Sequence, residues 1–424
     1  MSVDAPEVSA GDTAWVLASA ALVLIMTPGL AFFYGGMVRA KNVLNTMLQS
    51  FAVMAVVGVS WVALGYSLAF GKGDAFVGDF DAAFLTRPDA PVPGLEALTV
   101  PPVAFVVFQM MFAVITPALI TGSAVERWRF GAFLPFTLIW SLIVYAPIAH
   151  WVFSPYGWAY EMGALDFAGG TVVHCNAGAA GLALAVALGR RDGWPRRQSA
   201  PHNVPFILLG VSLLWFGWFG FNAGSALKAD AIAGYAFLNT NTATAAAVLT
   251  WIAVERALAQ RPTTVGAASG AIAGLVAITP CAGFVDVRGA LAVGVAAGLC
   301  CVLVVPLKGV LRVDDSLDVA GLHLTGGLVG SLMVGLLATA RINPAGADGL
   351  LYGGGYHQLL VQLVVVGAVS GYSFGATYLL VKALDRLPFA RANRVSTQDE
   401  RTGLDLALHN ERAYARQGHE DERT

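Results

Sequence analysis

Along most of this chain the apolar residues do not alternate with polar ones at a helical or strand period. They run almost unbroken for twenty or more positions at a time. A helix needs about 20 mostly apolar residues to cross a bilayer, and eleven such runs can be marked. They lie at about 13–36, 45–70, 99–123, 131–151, 168–189, 203–226, 236–255, 264–284, 287–307, 318–340 and 356–382. The breaks carry charge and turn residues: GKGDAF, ERWRF, RRDGWPRR, ERALAQRP, VPLKGVLRVDDS and RINPAGADG. A membrane barrel would show alternating segments of about ten residues instead, and none is present. The pattern predicts an all-α polytopic membrane protein with eleven transmembrane helices.

The basic residues fix an expected orientation. With Met1 outside and the chain alternating sides, twenty of the 25 Lys and Arg fall on the inner side, and Lys72, Arg87, Lys228, Arg288 and Arg341 outside. The inner set runs from Arg39 and Lys41 through Arg127, Arg191, Arg197 and Lys308 to Arg391, Arg416 and Arg423. Cytoplasmic loops carry the Lys/Arg excess, so the N-terminus is expected outside and the C-terminus in the cytosol, in the cytoplasmic (inner) membrane. Asp4, Glu7 and Asp12 precede the first apolar run where a cleavable signal would be basic, so none is expected. The membrane domain is expected over 1–382. Residues 383–424 form a cytosolic tail with 15 Asp, Glu and Arg, too short for an enzymatic domain and long enough for one or two docking helices.

Composition narrows the class. The chain of 424 residues is 57% hydrophobic and 12% charged, against roughly 25% charged in soluble proteins. A soluble enzyme, a disordered chain and a nucleic-acid binder are excluded, and a net charge of -2 offers no excess for polyanions. Glycine, 48 residues, suits close helix packing in membranes. Cys175, Cys281, Cys300 and Cys301 lie in apolar stretches without CxxC spacing, as core thiols would.

Ionisable groups inside a bilayer are costly, so the few present point to function. His174 lies in span five and His323 in span ten, while His150 ends span four. Taken singly, each reads as a core histidine bonded to a backbone carbonyl. If the first ten spans form two inverted five-helix repeats, about 13–189 and 203–340, with 356–382 as a final helix, both histidines fall on the last helix of their half. Inverted repeats place such groups at one depth, at a midplane site. Asp166, eight residues before His174, reads as an N-cap accepting from Gly169 or Ala168, and its charge would also favour a cation near the outer mouth. Asp318 reads as a cap alone.

Aromatic residues form a second constellation. Phe108 and Phe112 share a helix face, as do Trp218, Phe221 and Ser225. Such stripes serve packing, but an aromatic face next to a hydroxyl also suits a small cation with N–H donors. A two-histidine zinc site lacks its third and fourth ligands, and no HExxH occurs.

At these residues the sequence resembles the ammonium transporter family, which includes the Rhesus proteins. The resemblance covers about 13–410 through FFYGGMVRAKNVLN, FQMMFAVITPALITGSAVERWRF, YAPIAHWVF, ALDFAGGTVVHCNAG, WFGWFGFNAGSA, DDSLDVAGLHLTGG and ERTGLDLALHNERAY. It implies a homotrimer with a pore in each subunit and no cofactor, and a transporter rather than an enzyme. By motif, the outer ammonium site falls on Phe108, Ser225 and Asp166 with Trp218 nearby, the gate on Phe112 and Phe221, and the pore on His174 and His323. Phe153 stands where many members have a tryptophan, with Trp158 as a substitute or a weaker site as the two readings. Leu324 replaces a common glycine and would narrow the pore wall. The tail resembles the family's regulatory element, on which a PII signalling protein docks in bacterial relatives. The expected function is recruitment of ammonium at the mouth, deprotonation near the gate and conduction of ammonia past the histidines, with separate proton transfer. The alternatives are an ammonium sensor acting through a partner and a Rhesus-like passive gas channel.

Overall fold

A computed structural model describes residues 7–196, 200–258, 261–387 and 393–414. Asp4, Arg197, Arg391, Arg416 and Arg423 lie outside the described residues. Among the described residues ten helices are long and apolar enough to cross a membrane: α1 (Ala10–Met37), α2 (Ala40–Phe70), α3 (Pro102–Ser123), α4 (Phe130–Glu161, broken at 154–157), α5 (Gly170–Leu188), α6 (Val204–Ala226), α7 (Ala231–Ala257), α9 (Val287–Leu311), α10 (Ala320–Leu337) and α11 (His357–Leu384). Between α7 and α9 lies a shorter apolar helix, α8 (Thr264–Ile278). No strand occurs among the described residues. The protein is a multi-pass all-α membrane protein.

α8 ends earlier than the apolar run predicts. Its 15 residues span about 22 Å, and Pro280, which lacks an amide proton and clashes with the preceding turn, diverts the chain into a turn at 279–284. The Cys281 N–H donates to the Ile278 carbonyl there.

Four π-turns interrupt the helices: Trp61–Gly65 in α2, Ser141–Tyr145 in α4, Gly170–Cys175 opening α5 and Ala320–Leu324 opening α10. Such bulges re-aim side chains and gather at functional sites. The first two face each other, with the Ser60 and Ser141 hydroxyls 3.2 Å apart. The last two each carry one of the intramembrane histidines.

α1 packs most extensively on α6, and α11 lies along α5. Apolar side chains facing the remaining exterior, such as Val59, Leu249 and Leu379, are exposed, as expected for residues that face lipid tails rather than water. Cys175, Cys281 and Cys301 are buried free thiols and Cys300 is half-buried. The tail forms two short helices, α12 (Thr397–Thr402) and α13 (Leu404–His409).

Candidate functional site

The histidine helices begin on carboxylates. Asp166 accepts from four consecutive amides, Gly169 at 2.8 Å, Gly170 at 2.7 Å, Thr171 at 2.8 Å and Val172 at 3.1 Å. One side chain thereby satisfies the free N–H groups of the first turn of α5. Gly169 is among its donors as expected; Ala168 is not.

At α10 the sequence reading needs correction. Asp315, not Asp318, takes the first free amides, Val319 at 3.2 Å and Ala320 at 2.8 Å, and also accepts from the Ser123 hydroxyl at 2.8 Å. Asp318 contributes only its carbonyl, to the Leu322 N–H. Its backbone is left-handed (φ 61°), which turns its carboxylate to Lys308 at 2.5 Å. The signal was present: Asp166 and Asp315 each stand eight residues before their histidine.

From these starts the π-turns aim His174 and His323 at each other. Their Nδ1 atoms are 3.4 Å apart, and the rings lie 5.4 Å between centroids at 24°. Both are buried. The close approach depends on a reciprocal pair of glycines. Gly178, four residues after His174, abuts Leu324, and Gly327, four after His323, abuts Cys175. A Cβ at either would come within 2.3 Å of Leu324 N or 2.7 Å of Cys175 Sγ. Leu324 thus sits in a helix contact.

A column of rings continues from the pair. Phe221 stacks on His174 at 5.8 Å and 25°. Phe112 lies 4.4 Å from Phe221, and Phe108 lies 4.9 Å from Phe112. All three phenylalanines are buried. One turn beyond Phe221, the Ser225 hydroxyl donates to the Phe221 carbonyl at 2.8 Å, which leaves the lone pairs of Oγ free to accept.

Two residues expected at or near the mouth join Phe108 in no ring contact among the described residues. Trp218 stacks on His174 at 5.3 Å and 21° and makes no ring contact with Phe108 among the described residues. Phe153 is half-buried and joins neither Phe108 nor Phe112 in a ring contact. Trp158 packs on Trp151 at 5.8 Å. His150 is a structural histidine, bonded to the carbonyls of Ala69 and Asp74.

Charge is absent from this column. Among the described residues, no buried carboxylate, lysine or arginine lies within a candidate span. Buried charge collects instead at the tail face. Arg39 and Arg191 both pair with Glu126, and Arg191 pairs with Asp314 at 2.8 Å. Burial would raise the Glu126 carboxyl, but the hydrogen bond from Arg39 and the charge of Arg191 hold it below its ordinary range. Asp314 is likewise held low by Arg191 against its burial. Arg127, fully buried, donates to the carbonyls of Ser123 and Asp314 and to the Ser316 hydroxyl; burial lowers it to about 10.

The tail closes this network. Glu400 accepts from the Asp192 amide and from Arg394. Asp405 accepts from the amides of Leu44 and Asn45, so a tail carboxylate caps α2 from a distance in sequence. Gly403, at φ 103°, lets the backbone pass against Lys41.

Comparison with known proteins bears on this arrangement. The family described as the Ammonium Transporter Family matches residues 14–414. An ammonium transporter of Mycobacterium tuberculosis is 50% identical over 436 residues, covering 95% of this chain and 90% of the relative. The crystal structure of Candida albicans Mep2 aligns with a TM-score of 0.87 at 37% identity, over 93% of this chain and 88% of that one. A structure titled Sensor Amt Protein aligns with a TM-score of 0.86 at 29% identity, over 94% and 98%.

Proposed function

Because the chain belongs to the ammonium transporter family, we propose that it moves ammonium nitrogen through the ring column as ammonia. The observation that carries this reading is the buried imidazole pair, 3.4 Å apart, lying beneath closely packed phenylalanines in an interior without fixed charge. A cation entering so dry a conduit would lose its hydration uncompensated, at a cost of several kcal/mol or more. A neutral amine needs only hydrogen-bonding partners, and imidazoles supply a donor and an acceptor each.

In this reading ammonium is recruited where Ser225 accepts an N–H and the Phe108 face attracts the cation, with Phe153 further out and Asp166 adding negative potential. Phe112 and Phe221 close the column and must part to admit the permeant. Water on the Asp166 side takes the proton at this gate, and ammonia passes Trp218, His174 and His323. Two facing Nδ1 atoms share one proton, so a hydrogen-bonded path runs through the pair. Proton transfer on a separate route makes the process electrogenic. Two inverted halves related across the histidine pair, a homotrimer with one pore per subunit, an N-terminus outside and a cytosolic tail complete the proposal, placed in the cytoplasmic membrane. The tail, seated on α2 and the 189–194 loop, is the surface for a PII-type regulator.

The experiment is paired ammonium uptake into proteoliposomes and current on a solid-supported membrane. Uptake with current supports the full reading; uptake without current reduces it to passive ammonia conduction, as in a Rhesus-like channel. Neither uptake nor current would overturn transport and leave the sensor reading, which the likeness to the Sensor Amt Protein favours.

A further inference from the structure

Trp218 reaches His174 by a route the conduction reading does not use. Its indole N–H donates to the Thr279 hydroxyl at 2.8 Å, and that hydroxyl donates in turn to the Leu275 carbonyl at 2.7 Å. Thr279 and Trp218 are both buried. With its only proton committed to Leu275, the Thr279 oxygen is fixed as an acceptor, so the indole is held in one orientation. That indole lies nearly parallel to His174, and His174 nearly parallel to His323.

The next residue grips the same histidine helix from behind. The Pro280 carbonyl accepts from the Phe167 N–H at 3.2 Å, and the Pro280 ring fills the space where Gly170 would carry a Cβ. The turn that ends α8 therefore bears on His174 by two indirect routes, through the ring stacked on it and through the backbone that starts its helix.

We infer that Thr279 is a positioning residue: by anchoring the Trp218 indole, it fixes the tilt of the His174 ring and so the register of the two imidazoles. Aromatic pairs settle in either offset-stacked or edge-to-face arrangements, so a directional hydrogen bond at one end of the stack selects one tilt. Hydrogen-bond sharing between the Nδ1 atoms depends on that angle. This inference rests on the conduction reading above.

The test uses the full-length protein in proteoliposomes. Thr279→Val keeps the shape and removes the acceptor. Both hydrogen bonds of the Thr279 hydroxyl are lost; loss of the one that holds the indole predicts a maximal uptake rate about tenfold lower, an apparent affinity within about twofold of the parent, and a displaced pH profile of flux. Thr279→Ser, which keeps the hydroxyl, restores rate and profile. Trp218→Phe removes the donor; it displaces the pH profile in the same direction, and adding Thr279→Val to it lowers flux no further. An unaltered pH profile in both Thr279→Val and Trp218→Phe would overturn the inference, as would independent, multiplying losses in the double variant. Should Thr279→Val not fold, the Trp218→Phe profile alone decides the matter by the same criterion. Failure of the parent protein to take up ammonium would instead strike the conduction reading, so the two failures are distinguishable.

Discussion

The approach to His174 and the approach to His323 use the same spacing for different electrostatics. Each begins with an aspartate eight residues upstream, runs through a π-turn and ends at an imidazole. Asp166 is held by four backbone amides and has no ion pair among the described residues. Asp315 is held by two amides and a serine, in a neighbourhood that contains the Lys308–Asp318 pair and the buried Arg127. Amide dipoles stabilise a carboxylate without cancelling its charge, whereas adjacent cations do cancel it. On the proposed reading, the Asp166 end of the column keeps a negative potential for an arriving cation, whereas the Asp315 end has cations close by. A shared backbone plan fixes where the carboxylate sits, and its neighbours decide what it does.

The largest effect should come from removing the two aspartates separately. Asp166→Ala leaves four amides without their acceptor and takes away the carboxylate charge they hold. Its ammonium flux should fall by at least about a hundredfold, the combined cost of lost hydrogen bonds to an ion. Asp315→Ala should lower flux by less than about tenfold and act mainly on the melting temperature. Equal flux losses in properly folded variants would end the comparison, since each carboxylate would then serve the same purpose.

Next in size is Arg127. It is a buried cation that binds two carbonyls and a hydroxyl, 3.9 Å from the Asp314 carboxylate. Arg127→Leu leaves two carbonyls and a hydroxyl without their donor while Asp314 keeps Arg191, at a cost of about 1–3 kcal/mol for each group left unpaired. Thermal unfolding in detergent measures it. The neutralised end is structural on this account, so the ratio of ammonium to methylammonium uptake in the surviving protein should stay unchanged. A changed ratio would mean that this end also selects.

Much of this was legible in the chain. The spans follow from uninterrupted apolar runs, and the histidines stand out because few ionisable residues occur inside them. Asp166 was legible because DFAGG offers one carboxylate ahead of a helix. Asp315 was not, because DDSLD offers three and local propensity cannot rank them; only the repeated eight-residue spacing does. The apolar run continues past Pro280 and so hides the end of α8, which the proline alone marks. Trp218 shares a helix face with Phe221 and Ser225, but a stripe does not say whether its near end meets the mouth or the histidine. The capping of α2 by Asp405 had no local signal, because its partners lie about 360 positions away in the sequence.

The smallest effect is the most discriminating about the neutralised end. Glu126 and Asp314 are both held below the ordinary carboxylate range, by Arg39 and Arg191 and by Arg191 respectively. A carboxylate with a depressed folded-state pKa contributes stability that is present above its unfolded value, about 4, and is lost as pH falls through the folded one. Between pH 8 and 5 the unfolding temperature should therefore not change on account of these two groups, and it should decline only below about pH 4. Glu126→Gln removes one of them while keeping most of the shape. It should lower stability at neutral pH by about 1–3 kcal/mol, the value of hydrogen bonds to a charged partner, and should reduce the acid decline below pH 4. Unfolding scans of the parent and the variant from pH 3 to 8 measure both. If the variant lost stability equally at every pH, Glu126 would be acting through packing alone, and the charge balance that distinguishes the His323 end from the His174 end would have to be sought in Asp314 and its arginines.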